Sequence, residues 1–375
     1  MVASTLICNI EINDFWANAE APRTGRKLVV RRNFPESWSN ILMMRLSKET
    51  HMKVRRLLYL FVFVLLGMAS LPLVSTGAGA FSASSFSAKQ GLSATWTPEA
   101  SGVTSEAVAS DPTNGPLIAV VAGGIVYAKE GLSASWTTED TSTTASAVAV
   151  ASDPTNGPLI AVLDNGTVYA KEGLSSSWTT EATGATAIAV ASDPTNGPLI
   201  AVIAGGLVYA KEGLSGTWTQ ETSSGTAQSV AVASDKTNGP VIAVVVGYVV
   251  YAKEGLSATW TTETVVAAAA PVVAVASDPT NGPLIAVEVS GSVYAKEGLS
   301  ASWTTEDTSG TATSVVVASD KTNGPLIAVT DPVTAVWAKQ GLSGSWTQET
   351  SSGSTTSLAV ASDPTNGPLI AVSVT

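Results

Sequence analysis

The stretch from Ala147 to Lys171 decides the fold: Ala147-Val148-Ala149-Val150-Ala151-Ser152, then Asp153-Pro154-Thr155-Asn156-Gly157-Pro158, Leu159-Ile160-Ala161-Val162-Leu163, Asp164-Asn165-Gly166 and Thr167-Val168-Tyr169-Ala170-Lys171. Three apolar, β-branched runs are separated by two turn signals. Pro and Asn-Gly force the first turn, and Asp-Asn-Gly is a hairpin signal. After Gly173-Leu174-Ser175 a short fourth strand is predicted around Trp178-Thr179-Thr180-Glu181, followed by a Thr/Ala/Gly linker. Nothing in the unit is long enough, or periodic at 3.6 residues, for a helix.

The unit recurs. Gly-Leu-Ser-x-x-Trp-Thr occurs seven times, with its tryptophan at Trp96, Trp136, Trp178, Trp218, Trp260, Trp303 and Trp346, a spacing of 40 to 43 residues. Asp-(Pro/Lys)-Thr-Asn-Gly-Pro also occurs seven times, starting at Asp111, Asp153, Asp193, Asp235, Asp278, Asp320 and Asp363. Two motifs locked in one period define a structural unit. Four short antiparallel strands per forty-odd residues predict an all-β, seven-bladed propeller of four-stranded blades. A β-solenoid of the same period is the rival, but its coils lack three separate turn signals. The ends of the array also complement one another. Phe86-Ser87-Ala88-Lys89 aligns with a third strand and Leu369-Ile370-Ala371-Val372 with a second, so pooled they predict one blade closed two plus two.

Within a blade, the Ala/Val/Ser first strand suits the crowded wall of a narrow central channel. The seven tryptophans are expected to pack between blades, with a role in ligand binding as the alternative. Asn114, Asn156, Asn196, Asn238, Asn281, Asn323 and Asn366 could offer amides to sugar hydroxyls, or simply serve the tight turn that Asn-Gly demands. The Asp of that loop reads as an Asx cap. One carboxylate per loop is too few for a calcium cage, so no metal is expected. Lys171-Glu172 and its equivalents, with Gln90 and Gln340 replacing the Glu in two copies, read as a solvated surface pair.

Working outward, Met52-Lys53-Val54-Arg55-Arg56, the apolar run Leu57 to Val74 and Ser75-Thr76-Gly77-Ala78-Gly79-Ala80 have the parts of a secretory signal, with cleavage expected after Ala80. A signal anchor is the alternative, since eighteen apolar residues just span a bilayer. Residues 1–51 read as a gene-model extension upstream of Met52, or as a disordered or cytoplasmic tail. The domain plan is therefore 1–51 extension, 52–80 signal and 81–375 propeller.

The chain has 375 residues, 45% hydrophobic and 13% charged, with 32 Gly and 18 Pro, too apolar for disorder. Its only Cys (Cys8), only His (His51) and all its arginines precede the signal's end. From Phe81 onward nine lysines face 25 carboxylates, a net charge of −16. That composition excludes Cys/His metal sites, Ser-His-Asp and Cys-His nucleophiles and arginine clamps. It also disfavours nucleic acid and anionic membrane as partners. A sialidase is excluded because that propeller family needs an arginine cluster. Glycoside hydrolysis needs two different convergent carboxylates, whereas a repeat presents one carboxylate seven times.

Ser-Asp-Pro-Thr-Asn-Gly-Pro-Leu-Ile-Ala-Val, a short hairpin, Val-Tyr-Ala-Lys, a loop and Ser-x-Trp together resemble the blades of tachylectin-type β-propeller lectins and the Lys-Glu-Gly-Leu-Ser-x-x-Trp repeats of secreted bacterial propellers. The likeness covers about residues 85 to 375. It departs in blade number, since tachylectin-type lectins have five, and in the linker, where Gly-Gly-Trp is replaced as in Thr222-Ser223-Ser224-Gly225. The resemblance implies the propeller fold more than a ligand, because that linker borders the family's sugar sites, and no individual sugar contact is carried across. Taken with the signal segment and the missing residue types, the expectation is a secreted, non-enzymatic, monomeric recognition module without cofactor, binding glycans at several equivalent inter-blade sites. An extracellular protein-binding or structural scaffold is the other expectation.

Overall fold

The computed structural model describes residues 84–374, apart from short stretches at 112–113, 141, 154–156, 194–195, 223–225, 236–238, 257, 266–270, 279–280, 308–309, 321, 332–334, 351–353 and 364. The expected signal and the segment before it, Asn156 and Asn238 lie outside the described residues. Within them, 28 strands form seven four-stranded antiparallel sheets, the architecture read from the repeat.

Blade 2 shows why these residues make these strands. Its first to fourth strands are Ala145–Asp153, Gly157–Asp164, Thr167–Glu172 and Thr179–Thr183, adjacent in space in chain order. The second-to-third hairpin turns at Asn165 and Gly166, whose φ values of 47° and 77° are the left-handed pair that a two-residue primed turn requires. At the other end of the strands, Gly157 has φ 88°, and a side chain there would be strained in a left-handed backbone.

The second strand is buried on both faces, which explains its unbroken apolar run. Leu159, Ile160, Ala161 and Val162 are at most 1% exposed. One face carries Ile160 and Val162 into a core shared with Leu117, Ala119 and Val126 of blade 1. The opposite face carries Ala161 and Leu163 into a core shared with Ile200 and Val202 of blade 3. Burying each Leu, Ile or Val side chain is worth about 1.5–3 kcal/mol, so the hydrophobic stabilisation lies between blades.

The first strands pack side by side around the molecule, from Val103–Ala109 of blade 1 through each successive blade to Thr355–Ala361 of blade 7, which contacts blade 1 again. Small Ala, Val and Ser residues permit that approach. Blade 7 is assembled from strands far apart in sequence, in the order Thr97–Ser101, Ser85–Gln90, Leu369–Val374 and Thr355–Ala361. Its central pairing runs in unbroken register from Ser85 opposite Val374 to Gln90 opposite Leu369.

Candidate functional site

Seven inter-blade interfaces carry the same three-residue arrangement. The third-strand lysine of each blade pairs with a glutamate in, or just after, the fourth strand of the preceding one: Lys129 with Glu99, Lys171 with Glu139, Lys211 with Glu181, Lys253 with Glu221, Lys296 with Glu263, Lys339 with Glu306 and Lys89 with Glu349. Each lysine Nζ also lies 4.8–5.2 Å from the ring centre of its own blade's repeated tryptophan. Each indole Nε1 donates to the backbone carbonyl of that same glutamate at 2.8–3.1 Å.

This corrects the expectation of a solvated surface pair at Lys171-Glu172. The Lys171 side chain is 3% exposed, and its ion-pair partner is Glu139 of the neighbouring blade. Sequence adjacency misleads here because Lys171 and Glu172 point to opposite faces of a strand.

In five of the seven blades a bulge aims the glutamate. In blades 1, 2, 4, 5 and 7 the pairing of third and fourth strands skips Glu139, Glu181, Glu263, Glu306 and Glu99 respectively. The unpaired residue swings its carboxylate into the interface. Blades 3 and 6 reach the same end differently. Their fourth strands shrink to Thr219–Gln220 and Thr347–Gln348, and the hydroxyls of Thr222 and Thr350 accept the backbone N–H of Val208 and Val336 at 2.9 Å. Burial pushes the Glu221 and Glu263 carboxyls above the usual range, and Lys253 and Lys296 offset this only in part.

The expected tryptophan role is thus observed for all seven: half-buried rings packed between blades. The asparagines are placed otherwise. Asn114, Asn196, Asn281, Asn323 and Asn366 are exposed at loop tips. Asn114 donates its backbone N–H and its amide back to Asp111 at 3.0 and 3.3 Å, and Asn366 does the same to Asp363 at 3.0 and 3.0 Å. Asp111 in turn accepts Ser152 Oγ of the next blade at 3.0 Å, so the loop aspartate ties two blades together. Burial opposes ionisation of Asp363, but the donors of Asn366, Thr365 and Ser110 outweigh it and hold the carboxyl below its usual range.

Two inter-blade clefts break the uniformity. One, about 330 Å³, lies between blades 3 and 4, with Gln220 and Thr222 on one wall and Val244, Val246, Tyr251 and Trp260 on the other. The second, about 250 Å³, lies between blades 5 and 6 and is lined by Asp307, Thr311, Asp331, Trp337 and Trp346 among others. Of the residues singled out from sequence, Trp260 and Trp346 line these clefts; no loop asparagine does. Gln220, Thr222, Tyr251, Asp307, Asp331 and Trp337 were missed. For Gln220 and Trp337 the available signal was departure from the repeat, Gln for Thr and Trp for Tyr; Tyr251 follows the repeat, and Asp307 and Asp331 recur as Asp140 and Asp164, so nothing in the sequence set these three apart.

No group of three or more His, Cys, Asp or Glu side chains able to hold a metal ion occurs among the described residues.

No family model matches the chain, and no curated protein matches it. Among solved structures it is similar to a streptogramin B lyase, at 9% identity and TM-score 0.53, over 77% of this chain and 97% of that one. A catalytically inactive variant of virginiamycin B lyase from Staphylococcus aureus, with quinupristin, aligns at 8% identity and TM-score 0.54, over 76% and 99%. These likenesses establish the seven-bladed propeller. They contain no sign of tachylectin-type repeats, and at such identity they speak to fold alone.

Proposed function

We propose that the propeller is a non-enzymatic recognition module that binds carbohydrate in its inter-blade clefts. The cleft between blades 3 and 4 is the observation that carries this reading. Tyr251 and Trp260 supply aromatic surface for the C–H face of a sugar, and Gln220 and Thr222 add polar groups on the facing blade. A volume of about 330 Å³ is in the range of small-ligand sites. Because that combination varies between interfaces, the number of working sites is lower than the count of repeats.

The non-enzymatic reading rests on the residue types the propeller segment lacks. The only histidine here is His51, ahead of the propeller. Export through the segment at 52–80 would place the module outside the cell, with Phe81 as the expected N-terminus on sequencing the exported protein.

A protein-binding or structural scaffold is the second reading. It is favoured by the commitment of the loop asparagine amides and the tryptophan N–H donors to internal hydrogen bonds, which leaves those polar groups poorly available to a sugar. A glycan-array screen followed by calorimetry separates the two. The lectin reading expects saturable glycan binding that Tyr251→Ala weakens by about fivefold or more, the loss of one aromatic contact. Absence of binding to every glycan leaves the scaffold reading.

A further inference from the structure

The cleft between blades 5 and 6 differs in chemistry from the rest of the ring. Trp337 pairs with Val329 in the register where blades 1 to 5 place Tyr127, Tyr169, Tyr209, Tyr251 and Tyr294. It therefore joins Trp346 to make a two-tryptophan cleft. Two carboxylates, Asp307 of blade 5 and Asp331 of blade 6, line the same cavity, and Thr311 Oγ1 donates to Asp331 Oδ2 at 3.1 Å. The nearby Lys339 is neutralised by Glu306, so the cleft as a whole is negative. Lys339 already sits 5.1 Å from the Trp346 ring centre, which shows that this ring accepts a cation against its face.

We propose that this cleft is a single-copy binding site for a small organic cation, of the quaternary or methylated ammonium class. Such a ligand is apolar enough to lie against indole faces and carries the charge that two carboxylates attract. The cavity, about 250 Å³, is large enough for a trimethylammonium head with a short tail.

The interface between blades 1 and 2 is an internal control. It presents the equivalent carboxylates Asp140 and Asp164, the latter accepting from Thr144, but carries Tyr169 where blade 6 has Trp337. There Asp140 accepts both the backbone N–H and the hydroxyl of Ser142 at 3.0 Å. The acid pair thus recurs, and the second tryptophan does not. This site is independent of the sugar reading, which rests on another cleft.

The test is ligand-detected NMR on the full chain, comparing choline with its neutral isostere 3,3-dimethylbutan-1-ol. Choline is expected to bind saturably at one site and the alcohol at least about tenfold more weakly, as expected when a carboxylate pair reads the charge. Asp307→Asn and Asp331→Asn should each weaken choline about two- to fivefold. Trp337→Tyr, which installs the residue five other blades tolerate, should weaken it about two- to fivefold. Circular dichroism and melting temperature check that each variant is folded. Equal binding of choline and the alcohol, absence of saturation, or full choline affinity in folded Asp307→Asn and Asp331→Asn variants would each overturn the proposal.

Discussion

At the scale of single residues, a buried lysine and glutamate hold each blade to the next, and removing one partner is far worse than removing both. Lys253→Met leaves the Glu221 carboxylate buried without its counter-ion and is expected to cost about 3–5 kcal/mol. The double replacement Lys253→Met with Glu221→Leu should recover most of that loss, and denaturant melts on the two variants give the comparison. Glu106 has the opposite logic. In the ladder it occupies the position that the other six blades fill with Val148, Ile188, Val230, Val273, Val315 and Leu358. Burial pushes its carboxyl up, although hydrogen bonds from Ser357 and Ser373 pull it partly back. A carboxyl raised in the folded state binds its proton more tightly there than in the unfolded chain. Stability is therefore greatest below the ordinary carboxylate range and falls as the pH rises through the raised value. Glu106→Val should melt higher than the natural protein at pH 7, with the gap narrowing as the pH is lowered toward 4; a constant gap would remove burial of the charge as its cause.

At the scale of the element, strands and turns were readable because each depends on residues close in sequence. Asn165-Gly166 demands its hairpin whatever lies around it, and Leu159 to Leu163 can be fully apolar only if both faces are covered. The clamp was not readable in the same way. Its partners are 32 residues apart for Lys171 and Glu139, in different repeats, and a periodic sequence makes every offset look alike. One clue was present: all seven copies keep Lys seven residues before the tryptophan and Glu three after it, whereas the Glu following the Lys becomes Gln at Gln90 and Gln340. The clefts were hidden for another reason, since they arise where a copy departs from the pattern and the departures come from two blades at once. The tryptophan belongs to this scale as well, because it links the loop before the fourth strand to the neighbouring blade. Trp218 is half-buried, so Trp218→Ala is expected to cost about 2–4 kcal/mol, somewhat below the range for a fully buried ring. Trp218→Phe keeps most of the apolar contact and forfeits the bond to the Glu181 carbonyl, about 1 kcal/mol. Thermal melts of both variants check the division; equal losses would mean that the indole N–H, not the ring, holds the interface.

At the scale of the whole molecule, the mixed seventh blade makes one strand matter to every other. Deleting residues 368–375 removes the second strand of that blade and leaves Ser85–Gln90 and Thr355–Ala361 with unpaired edges. The truncated chain is expected to self-associate, as bare edges invite pairing, and light scattering after gel filtration reads this directly. A monomer with an unchanged melt would show that the blade contributes nothing to the ring.

The interface between blades 7 and 1 carries one contact that no clamp repeats, the hydroxyl of Ser373 donating to Glu106 at 3.0 Å. Seven interchangeable fasteners hold blades well but cannot tell one neighbour from another, so strands of two copies could exchange partners without losing a single clamp. The Glu106 contact is expected to act as an address on the seam where distant parts of the chain must find each other, which gel filtration of refolded Glu106→Val checks: an unchanged monomer fraction would remove that role. Its loss would leave a more heat-resistant ring and a larger fraction of molecules swapped, misjoined or closed on the wrong blade.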